Sequence, residues 1–231
     1  MLTVDGLDQY YGQSHILWNV ELEVPRGSCT CLMGRNGVGK TTLLRAIMGL
    51  LPIASGTLRF EEVDLERLGP NERARLGIAY VPQGREIFPH LSVLENLRTG
   101  CAARTDGGTE ILPLVYELFP VLHDMQNRQG GNLSGGQQQQ LAIGRALVSS
   151  PKLLILDEPT EGIQPNIVHQ IGDAMLELNR ELGTTVLLVE QKLPFARRVA
   201  DQFTILERGR SVASGAIDDL TDDVIDRHLR V

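Results

Sequence analysis

One octet near the start of the chain constrains it more than anything else. An apolar run from Cys29 to Met33 ends in Gly34-Arg35-Asn36-Gly37-Val38-Gly39-Lys40-Thr41, and a helical pattern follows, with Leu43, Leu44, Ile47 and Leu50 spaced by three and four. The octet fits G-x-x-x-x-G-K-[ST] and lies in the strand–loop–helix context that gives the pattern its meaning. Glycines let successive backbone N–H groups turn inward around phosphate oxygens with no Cβ in the way. The helix that begins there adds about half a positive charge at its N-terminus. Lys40 is placed to neutralise the outer phosphates, and Thr41 to offer a hydroxyl to Mg2+. Residues 34–42, Thr42 included, are the candidate phosphate cradle. A Gly-rich turn with an incidental lysine would need neither flanking element.

The remaining pattern predicts an α/β chain. Leu2, Val4 and Leu7, then Val20, Leu22 and Val24, suggest N-terminal strands. Further strands are expected at Ile78–Val81, Leu153–Leu156, Thr185–Val189 and Phe203–Leu206, with helices at about 165–181 and 194–200 between the last three. Such alternation implies parallel strands with crossover helices. From about 84 to 150 the texture turns helical. Ser92 and Glu95 have capping-box spacing, 103–109 reads as a loop, a helix is expected over 111–119, and another holds Leu141, Ile143, Ala146 and Leu147. The four glutamines at 137–140 are expected on the first turn and wet face of that helix. Gly209 and Arg210 mark a hairpin, and the acidic tail 218–231 reads as a peripheral helix. One domain over 1–231, its core interrupted by a helical insert at about 84–150, accounts for this order.

A second chemical feature lies on the strand Leu153-Leu154-Ile155-Leu156-Asp157-Glu158. An apolar strand ending in Asp157 brings that carboxylate to the Mg2+ shell, while Glu158 points toward an attacking water. Next come Gln83 in Tyr80-Val81-Pro82-Gln83, and Leu133-Ser134-Gly135-Gly136-Gln137. Ser134 with the N–H groups of Gly135 and Gly136 forms a second anion site at a helix N-terminus, redundant within a chain that already has a phosphate loop.

In this order and spacing the motifs resemble the ATP-binding cassette (ABC) family over nearly the whole chain. The resemblance implies a P-loop NTPase of the ABC type: a mostly parallel core sheet, an N-terminal antiparallel β subdomain and an inserted helical subdomain, working with ATP and Mg2+. It implies that two subunits pair head to tail, each ATP closing between one phosphate loop and the opposite Ser134–Gln137 segment. Glu158 would be the catalytic base, Thr41, Asp157 and Gln83 would serve the metal, and Gln83 would also meet the attacking water. Tyr11 matches the aromatic that stacks on adenine, with Tyr10 as the competing choice. Two positions depart from the family pattern. Gln191 stands where most relatives have a switch histidine, and an amide cannot carry an imidazolium charge; Gln164 ends a loop that more often ends in aspartate.

Composition narrows the functional class. With 22 basic against 29 acidic residues the net charge is −7, which disfavours nucleic acid as a partner. The short interval between Lys40 and Ser134 leaves no room for the coiled coil of repair ATPases, and translation factors of the family carry two cassettes. Intact Glu158 argues against a scaffold with little turnover. No stretch approaches the roughly 20 apolar residues of a membrane span. Cys29, Cys31 and Cys101 have no metal-site spacing and are expected as free thiols in a reducing compartment. The expected place is therefore the cytoplasmic face of the membrane, as a peripheral subunit of an importer. The segments 81–97, 157–165 and 189–191 resemble the branched-chain amino acid and amide importer group, where Gln191 is habitual. Within it, residues 9–17, the phosphate loop and the segment after Ser134 are similar to the second ATP-binding subunit of urea importers, and Gln83 stands where the amino-acid branch commonly has glutamate. Urea is thus the expected solute, with branched-chain amino acids as the alternative. The implied partners are a second ABC ATPase (or a second copy when isolated), two membrane permeases and, indirectly, a periplasmic solute-binding protein. Arg85, Ile87 and Phe88 are candidates for permease contact, with ordinary packing of the helical insert as the competing explanation.

Overall fold

Strands buried on both faces read as unbroken apolar runs, and three such runs form the centre of this protein. The computed structural model describes residues 1–230. Two N-terminal strands, β1 (Leu2–Tyr11) and β2 (Ser14–Val24), precede β3 (Cys29–Met33) and α1 (Lys40–Ile47). Then come β4 (Ser55–Phe60), β5 (Val63–Asp64), α2 (Pro70–Arg75) and β6 (Ile78–Val81). The helices α3 (Val93–Thr99), α4 (Pro113–Leu118), α5 (Pro120–Asp124) and α6 (Gly135–Leu147) follow in one stretch. The chain closes with β7 (Leu153–Asp157), α7 (Pro165–Leu176), β8 (Thr185–Val189), α8 (Leu193–Val199), β9 (Gln202–Glu207), β10 (Arg210–Ala216) and α9 (Asp222–His228).

The larger sheet has the order β10-β9-β3-β8-β7-β6, parallel except at the β10 edge. Side chains alternate across it. Cys31, Leu154, Leu156, Val186 and Leu188 enter one core, shared with α6 and α7. Leu32, Ile155, Leu187 and Val189 enter another, with Leu43, Leu44 and Ile47 of α1 and the N-terminal strands. Burial pushes the Cys29 thiol up to about 12 and Cys31 in the same direction, so both remain protonated and inert. The second sheet, β2-β1-β4-β5, is antiparallel throughout.

Several local expectations need correction. The strands β4 and β5 and helix α2 have no counterpart in the sequence reading, because only Leu58 and Phe60 of β4 face the core. The helix expected over 111–119 starts at Pro113 and breaks at Phe119 before α5. The one expected over 165–181 is α-helical to Leu176 and ends in a π-helical turn, Glu177–Glu181. Gln139 and Gln140 are 4% and 3% exposed, not wet, because α6 packs on α7 and Gln140 donates to Gln170 at 2.9 Å. In the tail, α9 spans Asp222–His228, and Val231 lies outside the described residues.

One buried cation ties the antiparallel arm to α1. Arg73 is 4% exposed and donates to the carbonyl oxygens of Ala46, Ile47, Leu65 and Leu68 at 2.6–2.9 Å. Two of these are carbonyls in the last turn of α1, of which Ala46 also accepts the Gly49 N–H at 3.0 Å. Arg73→Ala is expected to lower the unfolding free energy by about 3 kcal/mol, since buried acceptors lose their donor. Arg73→Lys should recover little, because an ammonium cannot span the fork. Urea unfolding of the three proteins measures this, and an unchanged midpoint in the alanine variant would refute it.

Candidate functional site

Three strand ends converge because β3, β8 and β7 are parallel neighbours. Leu32 is in register with Val189, and Val189 with Asp157. The loops after Met33, Val189 and Asp157 therefore leave the sheet at one level, where ligands gather in open α/β folds.

The first loop is the glycine octet. Gly34 and Gly39 have φ of +149° and +109°. A Cβ on Gly34 would come within 2.3 Å of the Leu206 carbonyl oxygen, and one on Gly39 within 2.7 Å of Leu17. Both positions therefore demand glycine for packing as well as conformation. Lys40 is 5% exposed. Its ammonium donates to the carbonyl oxygens of Gly34 and Arg35 at 2.8 and 2.9 Å and lies 3.6 Å from a Glu158 oxygen. Arg35, Asn36 and Gly37 are exposed along the loop, and Val38 and Thr42 are half-buried. Arg35 also donates to the Arg230 carbonyl oxygen.

At the second loop Thr41 donates to Asp157 Oδ2 at 3.0 Å, and the Tyr80 hydroxyl reaches the same oxygen at 3.3 Å. Asp157 Oδ1 is buried and has no hydrogen-bond partner. A hydroxyl beside an unpaired buried carboxylate oxygen is a donor set that suits Mg2+, so the residues present fit that ion. Glu158 follows with φ +50°. Its carboxylate accepts from Gln191 Nε2 at 2.5 Å and from Gln83 Nε2 at 3.4 Å. Gln191 Nε2 also donates to Asn36 Oδ1 at 2.7 Å, which closes a chain from the third loop to the first.

Gln83 donates chiefly to Glu161, at 2.8 Å. Its amide nitrogen thus faces the two acids after β7 and makes no hydrogen bond to Thr41 or Asp157. The loop beyond it is unusual: Gly84, Arg85 and Glu86 have φ of +84°, +71° and +46° in succession. Of the three residues considered for permease contact, Arg85 donates to Gln138 at 3.2 Å and Ile87 packs into the core. Phe88 is 47% exposed, with the Arg145 guanidinium 5.3 Å from its ring.

Ser134 caps α6: its hydroxyl accepts from Gln137 N–H at 3.3 Å, and Gln137 Oε1 accepts from Ser134 N–H at 2.9 Å. A Cβ on Gly136 would meet Ile167 at 2.9 Å, and one on Gly135 would meet Arg85 at 3.1 Å. Among the described residues this helix start makes no hydrogen bond to the phosphate loop. Tyr10 stacks on His15, and His15 on Trp18, with centroids 4.0 and 3.5 Å apart. Tyr11 is exposed beside them and enters no such stack. Sequence reasoning missed Thr160 and Glu190, which link the second and third loops; both are buried, and only the acidic residue closing an apolar strand run hinted at them.

The family model described as "ABC transporter" matches residues 17–161. A high-affinity branched-chain amino acid transport ATP-binding protein of Pseudomonas aeruginosa, BraG, is 44% identical over 92% of this chain and 91% of its own length. A protein of Archaeoglobus fulgidus named "Probable branched-chain amino acid transport ATP-binding protein LivF" is 37% identical over 96% of this chain and 94% of its own. A solved dimeric structure of a bacterial ABC transporter cassette superposes with a TM-score of 0.82 at 25% identity, covering 94% of this chain and 99% of that one.

Burial pushes the Asp157 carboxyl above its ordinary 3.8, against the lowering effect of the Thr41 hydrogen bond, and Glu158 beside it adds to the rise. The folded chain therefore binds this proton more readily than the unfolded chain. Asp157 subtracts stability above its folded pKa, and the penalty fades as pH falls toward the ordinary value. Asp157→Asn is expected to raise the thermal midpoint of the nucleotide-free chain at about pH 7, by a margin that narrows toward about pH 4. A variant less stable than the parent at neutral pH would contradict this.

Proposed function

The chain belongs to the ABC transporter family, as an ATP-binding, ATP-hydrolysing cassette, and from that premise we propose that it energises a membrane importer of branched-chain amino acids. The observation that carries the ATPase part is the meeting of Lys40, Thr41, Asp157, Glu158 and Gln191 at three adjacent strand ends. The solute rests on the two relatives named for branched-chain amino acid transport. These support the alternative solute of the sequence reading better than urea, which rests on the motif texture of residues 9–17, the phosphate loop, the segment after Ser134 and Gln83.

In this proposal the N–H groups of residues 34–42 and Lys40 hold the phosphates of ATP, and Tyr11, left free while Tyr10 is stacked, receives the adenine. Thr41 and Asp157 would hold Mg2+, which when bound would supply positive charge to the phosphate oxygens. Glu158 accepts a proton from water as its oxygen bonds to the γ-phosphorus and the bond to the bridging oxygen breaks, yielding ADP and phosphate. Gln191 and Gln83 orient that carboxylate and the water. Gln83 would also serve the metal, although its present contacts go to Glu161 and Glu158.

The cap formed by Ser134, Gly135, Gly136 and Gln137 is assigned to a second subunit's nucleotide. Among the described residues it makes no hydrogen bond to the chain's own phosphate loop, which favours that assignment, as does the dimeric cassette of like fold. The partner is a second ABC ATPase, docked beneath two permeases that receive solute from a binding protein. Among the described residues no helix is long and apolar enough to cross a membrane, in keeping with a peripheral place on the inner face. The region at about 84–150 acts as the inserted helical subdomain, and Phe88 is its remaining candidate for permease contact.

Glu158→Gln is expected to retain ATP affinity while losing at least about a hundredfold in hydrolysis, and to accumulate as a closed dimer on size exclusion with MgATP. Hydrolysis at the parental rate would remove Glu158 from the base role. In vesicles holding the assembled transporter, labelled leucine should be taken up in an ATP-dependent manner and urea should not. Uptake of urea alone would reverse the choice of solute.

A further inference from the structure

Glu190 stands one residue beyond β8 and is 3% exposed, a carboxylate with no task in the scheme above. A buried acid needs donors, and this one has three. One oxygen accepts the backbone N–H groups of Gln191 and Lys192 at 2.8 and 3.0 Å. The other accepts the Thr160 hydroxyl at 2.6 Å. Lys192 crosses the same gap in return, its ammonium donating to the Thr160 carbonyl oxygen at 2.8 Å. The loop bearing Glu158 is thus fastened to the loop bearing Gln191. An apolar pair would have served packing at least as well; here the polar atoms are aimed at these two loops.

Glu158 needs such fastening. Its φ of +50° is unfavourable for a side-chain-bearing residue, and the ring of Pro159 after it adds to the crowding. Conformations of this kind persist only where the surroundings over-determine them. The Glu158 N–H donates to the Val189 carbonyl oxygen at 2.9 Å, and the Thr160 bonds supply the next restraint two residues on. Across the gap, the backbone N–H of Gln191 is held by Glu190 while its side-chain amide reaches Glu158.

We propose that Glu190 is a positioning residue for hydrolysis: through Thr160 and the Gln191 N–H it holds Glu158 and Gln191 at a fixed separation. This rests on the roles given to those two residues above. Glutamine at 190 preserves the geometry, because its Oε1 can accept both N–H groups and its amide can donate to the Thr160 oxygen. Alanine removes all three hydrogen bonds to the carboxylate and leaves the Lys192 ammonium on the Thr160 carbonyl oxygen.

The test is steady-state hydrolysis and nucleotide affinity of the full chain with MgATP, for Glu190→Ala, Glu190→Gln and Thr160→Val. Glu190→Ala is expected to lose about tenfold or more in kcat with the Kd for ATP within about twofold, and Glu190→Gln to return within about threefold of the parent. Thr160→Val, which removes one hydroxyl at constant volume, should lose about threefold or more in kcat with Kd unmoved. If Glu190→Ala does not fold, Thr160→Val decides alone, and parental turnover in it overturns the proposal. So does parental turnover in Glu190→Ala, a joint loss of affinity and turnover, or an amide variant as poor as alanine. Glu158→Gln is measured alongside. Parental hydrolysis there defeats the site assignment itself, whereas an inert Glu158→Gln beside an unaffected Glu190→Ala defeats only the role of Glu190.

Discussion

The parallel pairing of β3 with β8, and of β8 with β7, is the constraint from which the rest of the site follows. These strands are far apart in the sequence, yet their register brings Leu32, Val189 and Asp157 to one level. Every loop that matters begins there. A slip of one residue would turn each strand's side chains to the opposite core, so the two cores enforce the register that the site requires. Chemistry at the strand ends is held in place by hydrophobic burial below them.

The motifs were legible because each combines unusual residues with a context that only one fold supplies. Gly34 and Gly39 are required by space as well as by φ, and that double demand leaves a readable trace. The antiparallel arm left little trace. In β4 only Leu58 and Phe60 are buried, too few for a period-two signal, and α2 is short and polar. Gln139 and Gln140 misled for a different reason. Residue type suggests exposure, but the contact of α6 with α7 is tertiary and cannot be read from the helix itself.

Glu190 shows the same limit at the site. In the sequence it is an acid closing an apolar strand, much like Asp157. Only the fold distinguishes them: Glu190 meets three donors, whereas one oxygen of Asp157 meets none. Satisfied, the first is a fastener. The second, beside the Thr41 hydroxyl, suits a bound cation instead. Of the glycines after Ser134, Gly136 is required by space, since a Cβ there would strike Ile167, whereas Gly135 faces only the movable end of Arg85.

The nucleotide site around Thr41 and Asp157 carries a consequence for stability as well as for chemistry. A ligand that binds only the folded form stabilises it by mass action, about 2.7 kcal/mol at a hundredfold excess over Kd. That gain is a sizeable fraction of the roughly 5–15 kcal/mol by which folded chains are stable. Loss of MgATP would therefore remove part of the folded chain's stability together with its fuel.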